Sequence, residues 1–597
     1  MQLTFPPDMK QVPVHGPLGS ASAMFLTIRL ASLVHTAAAA ECFSLAAASD
    51  VSTQLVNEIV GGAAGSSAQF NHEFHNAQAG FPTIRQWSGG WVYQQCDERP
   101  DPAISAPPDG RYLYRTATGE PFLWKADTNW ELFHPPNKTD VDLYLADRAA
   151  KDFNVIQAVL LSKYNVTTIP NFYGDLAIDN GDPTRPNENY FGFVDWATAR
   201  AAEYGILICF VPVWGRHVSG GWYGTIGRRQ FNEDNAEAFG RGFGRRYPGT
   251  SKILGGYTNG FWANNDPQAR QAWRDRIDDS VDPTSFLDPI EDTRGIWAAM
   301  MKGFKEEERI LGYEALLTFQ PTSPWISDPP TPLLYGHNYI NGSLGTLSMD
   351  AVQSGHENPN PDGIDANFTV LTPWDSTKNY ENILQMRSDF CGPVMDVKNH
   401  YEGAHDSFDT EKPLWNASHV RHGFCPALFS GACGITYGSL PVQQSYENIS
   451  LVASLDHYHE TQLGLAENTS WHEAIHWPGA KQAGYYLRSP GGIKVEDIFS
   501  YASNRYIAAI TIQGRYWIYT GYVDAFGFDL AGVMVDWGYQ GGEVEAQWFD
   551  PRTAHTSRAE HKVLERASKN NAIFTPPSSG GVDHDWALIL KSTSHLC

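Results

Sequence analysis

Short apolar runs recur along the middle of the chain, and most are separated by stretches in which apolar and polar residues follow helical spacing. The runs are "PFLWKAD", "NVIQAVLL", "ILICFVPVW", "KILGGY", "ALLTFQ", "LSMDAVQSG", "GPVMDVK" and "GITYGS". Between them lie stretches such as "DVDLYLADRAAKD", "YFGFVDWATARAAEYG" and "TRGIWAAMMKGFKEEERILG". In the last of these, apolar residues recur every three to four positions while Lys and Glu take the opposite face. Strand candidates alternating with helices predict a closed parallel (β/α)8 TIM barrel of the α/β class over residues 106–489. One connection breaks the rhythm: the Pro-rich "SPWISDPPTP" after "ALLTFQ" offers no helix.

Past residue 490 the pattern changes to "RYIAAITIQG", "RYWIYTGYV", "GFDLAGVMV", "EVEAQWFD" and "WALILKS", short β-rich runs divided by Gly or Asn turns. This predicts a smaller antiparallel β-sandwich over residues 490–597. Residues 42–105 are rich in Ala, Gly, Ser and Pro and read as an N-terminal extension. Residues 1–41 read as a leader with a secretory signal, because "MFLTIRLASLVHTAAAAE" joins an apolar stretch to a small-residue tail. Asn137, Asn165, Asn341, Asn367, Asn416, Asn448 and Asn468 each head an Asn-x-Ser/Thr triplet, which supports a secreted, extracellular glycoprotein.

Charge narrows the partners. The formal net charge of −24 disfavours phosphate backbones and anionic membrane surfaces, so neither nucleic acid nor a membrane is expected as a partner. Of the seven cysteines, Cys425 and Cys433 are close enough in sequence to pair, although spacing leaves connectivity open. No C-x-x-C or His-rich spacing argues for a metal, and no cofactor is expected. The chain carries 19 Trp, 27 Tyr and 30 Phe, and some of these rings suit stacking on sugar C–H faces.

Reacting groups in a parallel barrel gather at the carboxyl ends of the strands. Those ends present Asp127, Glu131, Tyr173, Asp175, Trp214, His217, Tyr257, His356, Asp396, Lys398 and Tyr437. Acids mixed with rings at one rim suit a carbohydrate cleft. Glycoside hydrolysis usually requires two carboxyl groups, one to protonate the leaving oxygen and one to attack or activate water. Asp127, Asp396 and Glu402 are the acids placed to supply them. Each also has a plainer reading: Asp127 as a turn cap, His356 as a structural hydrogen-bonding residue, Glu402 as a solvated loop charge.

Several motifs in one order, "GRYLYRTATGEPFLWKADTNWELFH", "FNVIQAVLL", "NENYFGFVDWATARAAEYGI", "QSGH", "GITYG", "PGAKQAGYYLRS" and "WFDPRT", resemble the apiosidase-like family, the group around glycoside hydrolase family 140. The likeness runs over residues 106–597 and implies a (β/α)8 catalytic domain followed by a small β domain named collagen-binding. Characterised relatives act on apiose-containing pectic side chains, so the resemblance implies a plant polysaccharide or oligosaccharide as substrate.

The family's strand-four motif looks like Gly-Gly-Asp, where this chain has Gly255, Gly256 and Tyr257. Its strand-seven motif looks like Asp-Gly-Glu-Pro-x-Tyr-Glu, where this chain has Asp396, Val397, Lys398, Asn399, His400, Tyr401 and Glu402. The resemblance thus puts Tyr257 and Lys398 where the acid/base and the nucleophile stand. Asp127, Trp130, Asp396, Tyr401 and Glu402 match the family pattern.

The leading expectation is a hydrolase of plant cell-wall glycans using Asp396 and Glu402, or Tyr257 as a tyrosine nucleophile. Asp127, Trp130, Glu131, Tyr173, Trp214, His356, Lys398 and Tyr437 would bind substrate. The rival is a barrel that binds carbohydrate without cutting it. An adhesive protein acting through its C-terminal domain is a third reading. The sugar, the linkage and the oligomeric state stay open.

Overall fold

A computed structural model of the chain describes residues 85–87, 90–92 and most of 103–592; the longest stretches left out within that span are 220–229, 257–292, 322–334, 356–376, 446–468, 486–498, 529–543 and 560–571. Tyr257 and His356 lie outside the described residues, as do the expected leader and signal.

Eight parallel strands carry the larger domain: β1 (Trp124–Thr128), β2 (Val155–Leu161), β3 (Leu207–Val213), β4 (Lys252–Leu254), β5 (Leu317–Phe319), β6 (Asp350–Val352), β7 (Val394–Asp396) and β8 (Gly434–Tyr437). Six pair in the order β5-β4-β3-β2-β1-β8, and β6 pairs with β7. Backbone bonds from Ser348 and Met349 to the Leu317 carbonyl, and from Cys433 to the Val394 carbonyl, complete the ring. Every residue of β1 and β2 is buried, as expected when side chains meet packed layers on both faces.

Within the ring, side chains alternate between the lumen and the surrounding helices. Trp124, Ala126, Val155, Val159, Cys209, Val211, Ile253, Ala351 and Met395 form one apolar cluster inside. Ile104, Leu113 and Phe122 join it from a three-stranded antiparallel sheet over Ile104–Ser105, Leu113–Arg115 and Pro121–Phe122. Ile104, within the stretch assigned to the N-terminal extension, pairs with Arg115 in that small sheet and packs on the lumen cluster.

Helices α1 (Lys138–Ala150), α2 (Glu188–Glu203), α3 (Glu233–Arg246), α4 (Arg294–Ile310), α5 (Thr377–Asp389), α6 (Ala417–Phe429) and α7 (Pro478–Tyr485) surround the strands. Between β5 and β6 the described chain offers only a short turn of helix at Gly336–Tyr339 and a 3-10 turn at Gly342–Leu344, in keeping with the Pro-rich connection. Asn137 and Asn416 accept backbone bonds as N-caps of α1 and α6.

Helix α3 carries Gly240, Gly242 and Gly244, which local propensity disfavours at about 1 kcal/mol each relative to Ala. Packing explains Gly240, together with Gly303 on α4. A Cβ on Gly240 would come within 2.3 Å of the Met300 carbonyl oxygen, and one on Gly303 within 2.4 Å of the Glu237 carbonyl oxygen. Helices α3 and α4 thus cross with their backbones nearly touching. Arg245 spans the crossing to Glu307 at 2.7 Å.

The C-terminal part is a six-stranded antiparallel sheet in the order β9 (Phe499–Ser500), β10 (Ile507–Ile512), β11 (Arg515–Thr520), β16 (Trp586–Ser592), β13 (Val544–Phe549), β14 (Thr556–Arg558). A two-stranded sheet of β12 (Phe526–Phe528) and β15 (Ala572–Phe574) accompanies it. Phe526 and Phe574 pack on Tyr516, Ile518, Trp548, Leu588 and Leu590 from one face of the larger sheet, giving the sandwich core. The other face, with Trp517, Tyr519, Phe549 and Ile589, shares a cluster with Val420, Phe424 and Phe429 of α6. All thirteen residues of α6 are buried.

One guanidinium fastens this contact. Arg421 of α6 binds Asp585 through Nε at 3.0 Å and Nη2 at 2.8 Å, and reaches Asp583 at 2.9 Å. Burial works to raise the Asp585 pKa, but the charge and hydrogen bonds of Arg421, with His422 and Arg552, hold it below the usual carboxylate range. Cys209, Cys425 and Cys433 are buried and stand outside any disulfide; the Cys433 sulfur rests 3.5 Å from that of Met349, so the sequence-adjacent pair Cys425–Cys433 does not form.

Replacing Arg421 by Leu leaves Asp585 charged in a dry interface. The expected cost is about 3–5 kcal/mol, read as a lower midpoint in urea unfolding, and a loss below about 1 kcal/mol would refute the role given to this pair.

Candidate active site

The carboxyl end of the ring holds a lysine among rings. Trp130 lies just past β1, Trp214 just past β3, and Lys398 and Tyr401 follow β7. The Lys398 ammonium sits 6.0, 5.9 and 5.6 Å from the ring centroids of Trp130, Trp214 and Tyr401. The two indoles are 5.5 Å apart and tilted by 58°. Trp130 donates its indole N–H to the Tyr401 oxygen at 3.1 Å. Trp214 is 9% exposed and Lys398 7%, against 0% for Trp130 and 1% for Tyr401, so Trp214 and Lys398 are the members of the group nearest solvent.

Polar side chains occupy lumen-facing positions on the strands. Gln157, Thr318 and Thr436 lie on β2, β5 and β8, and Gln320 and Gln353 just past β5 and β6. Gln320 donates to Gln353 at 2.9 Å. Among the described residues, Oε1 of Gln157, Oε1 of Gln320 and Oγ1 of Thr318 have no hydrogen-bond partner although buried. Orphaned buried acceptors cost free energy unless water or a ligand reaches them, so this layer is the under-satisfied polar part of the lumen. Sequence reasoning missed it. The available signal was a lone Gln within or ending an apolar run, as in "NVIQAVLL" and "ALLTFQ".

The three candidate acids point the other way. Asp127 alternates with the lumen residue Ala126 and so projects outward, where Arg148 of α1 pairs with it and Tyr144 donates to it at 2.7 Å. Asp396 alternates with Met395 in the same manner. It accepts from the Ser354 hydroxyl, from Asn379 of α5 at 3.3 Å and from the Lys398 backbone N–H at 3.4 Å. Burial raises its pKa to about 6 against those hydrogen bonds. Beyond Asp396 the backbone leaves the strand, and this releases Lys398 from the outward parity of its neighbour.

Glu402 resumes pairing beside β8, bonding through its backbone to Gly438 and Leu440. Its carboxyl accepts from Tyr437 at 2.6 Å and from the Gly479 N–H of α7 at 3.1 Å. A Cβ on Gly479 would approach to 2.4 Å of that carboxyl, so only Gly fits. Burial raises the Glu402 pKa to about 7, opposed by the Tyr437 and Gly479 bonds and by the charges of Arg148 and Arg421. Tyr437, a candidate ligand contact, is thus the outward partner of Glu402.

Glu131 is buried beneath the loops after β1 and β2, accepting from the Ser162 hydroxyl at 2.9 Å. His134 lies 3.4 Å from it, yet burial, helped by His217, lowers the His134 pKa to about 3, so the contact is not an ion pair near neutral pH. His217 hydrogen-bonds the Ser162 carbonyl at 2.7 Å. Tyr173 stands at the start of α1, 47% exposed, with its oxygen accepting the Lys138 N–H at 3.0 Å. Of the sequence candidates, then, the described structure brings Trp130, Trp214 and Lys398 together, with Tyr401 added. Asp127, Asp396, Glu402 and Tyr437 are turned away from that group. Among the described residues, no set of His, Cys, Asp or Glu is grouped to hold a metal ion, and no helix is long and apolar enough to cross a membrane.

Comparison with known proteins adds two kinds of likeness. The family model described as the apiosidase-like catalytic domain matches residues 107–489, and a second, named for a proposed collagen-binding domain of a collagenase, matches residues 498–591. Among solved structures, one described as a glycoside hydrolase is 20% identical, with a TM-score of 0.60 over 83% of this chain and 98% of its own. A glycoside hydrolase family 5 protein from Bacteroides vulgatus is 19% identical, with a TM-score of 0.61 over 83% of this chain and 94% of its own. At these identities the solved structures establish the shared fold, a parallel curled sheet with helices. No curated protein matches the chain.

Both raised carboxyls fix the sign of a pH effect. The Glu402 pKa rises from 4.5 to about 7 on folding and that of Asp396 from 3.8 to about 6, so the folded state favours their protonated forms. Stability from them is complete below the unfolded values and is lost as pH climbs through the folded ones. The melting temperature is expected to fall between about pH 4.5 and 7, and to fall less in Glu402→Gln or Asp396→Asn; an unchanged slope in both variants would count against the protonated state.

Proposed function

The chain belongs to the apiosidase-like family and has a glycoside-hydrolase-like fold, and on that premise we propose that its barrel mouth binds a uronate-bearing saccharide of plant cell walls without cleaving it through paired carboxylates. One observation carries the reading: among the described residues, the mouth presents an ammonium among three rings, while Asp127, Asp396 and Glu402 face the surrounding helices.

The chemistry follows from charge. A glycosidase must stabilise an oxocarbenium-like transition state, in which positive charge develops on the sugar. A lysine at the mouth opposes that charge, just as a carboxylate there would favour it. The same ammonium suits a ligand that brings its own carboxylate, and pectic glycans are rich in such sugars. Trp214 supplies a face for C–H contact, and the orphaned acceptors of Gln157 and Gln320 can receive hydroxyl protons from below. The signal-like segment and the sequons, among them exposed Asn341, support export of a glycoprotein.

The purified full-length chain tests this against trigalacturonate. Isothermal titration is expected to show binding that weakens at least about tenfold in Lys398→Met and in Trp214→Ala, and that declines with added salt. Product analysis on pectic oligosaccharides is expected to show no released sugar. Turnover that disappears in Tyr257→Phe would replace the binding reading with tyrosine-based hydrolysis, and equal affinity for uncharged oligosaccharides would remove the uronate.

A further inference from the structure

A cavity of about 560 Å³ lies where the barrel meets the C-terminal sheet. Its wall is drawn from three parts of the chain: Glu402 and Trp415 beside α6, Trp477 and Gln482 at α7, and Arg552 and Asp583 from the C-terminal domain. None of these belongs to the group around Lys398. We infer that this junction is a second carbohydrate site, taking one or two neutral sugar residues.

The wall is held in place before any ligand arrives. Arg421 ties Asp583, Asp585 and Gln482 together across the junction. Arg552 bonds Asp550 at 2.7 Å and lies 4.6 Å over the Trp586 ring. Gly403 has φ +79°, and a Cβ there would stand 2.3 Å from the Trp477 ring, so the backbone itself braces that indole. A pre-formed pocket of this volume falls in the range that small ligands use.

Chemistry selects the ligand. The half-buried Trp477 indole gives an apolar face suited to the C–H surface of a sugar ring, with buried Trp415 behind it in the wall. Donors (Arg552, Gln482) and acceptors (Asp583, Glu402) line the same space, and a hydroxyl, which both donates and accepts, can satisfy either. The two guanidinium groups are already matched by Asp550, Asp583 and Asp585, so an acidic ligand gains no net opposite charge. A neutral polyol with apolar ring faces fits this set, whereas the lysine-centred mouth favours an acidic one.

Galactobiose and L-arabinose are the probes, titrated into the full-length chain with tryptophan fluorescence and calorimetry as readouts. Galactobiose is expected to bind, to lose about tenfold or more in affinity in Trp477→Ala, and to stay within about twofold in Trp214→Ala. Gln482→Ala gives the same comparison should Trp477→Ala fail to fold. Absence of binding by both sugars overturns the inference, and so does full affinity in the cavity variants or a loss confined to Trp214→Ala. Trigalacturonate affinity, followed in parallel, is expected to be untouched by Trp477→Ala, so failure here and failure at the mouth read differently.

Discussion

Side chains on a strand alternate, and in a closed ring of strands that alternation decides which residues a ligand can ever meet. Ala126, Met395 and Thr436 face the lumen; the very next residues, Asp127, Asp396 and Tyr437, face the helices. No loop rearrangement reverses this, because inverting one strand would carry Trp124 or Val159 out of the lumen cluster. The site is therefore made of what lies past the strand ends, where parity lapses, together with a layer of amides and hydroxyls at lumen positions.

That distinction explains how far the sequence could be read. Apolar runs identified each of the eight barrel strands, because every one is buried on two sides. Helix α3 was harder to see: its glycines lower helical propensity and serve a crossing with α4 that only the folded backbone reveals. The acids were located correctly along the chain, at strand ends, but a position along the chain does not tell which way a residue faces. Asp127 would have needed the register of β1 and the knowledge that Arg148 waits on α1. Lys398, by contrast, was legible as a departure from a family pattern, Trp130 as a match to it, and Trp214 as a ring at a strand end. Glu402 belongs to neither case, since its partner Gly479 lies 77 residues away.

The buried polar groups differ in what they contribute. Asp127 with Arg148, and Asp585 with Arg421, are charge pairs whose members were all taken from water together, so each is costly to break and modest in net gain. Asp396 and Glu402 have instead been pushed toward neutrality, accepting hydrogen bonds without an adjacent cation in direct contact. Carboxyl groups in that condition fix local geometry around Ser354, Asn379, Tyr437 and Gly479.

Helix α6 has no face left for solvent: one side belongs to the strands and the other to the C-terminal sheet. Recombination that traded the trailing domain for an unrelated one would strand Phe424 and Phe429 in water and leave Arg421 without its counter-ion. Lineages carrying this fold should accordingly transmit the pair as one heritable piece, with changes along the seam arising in step on both sides.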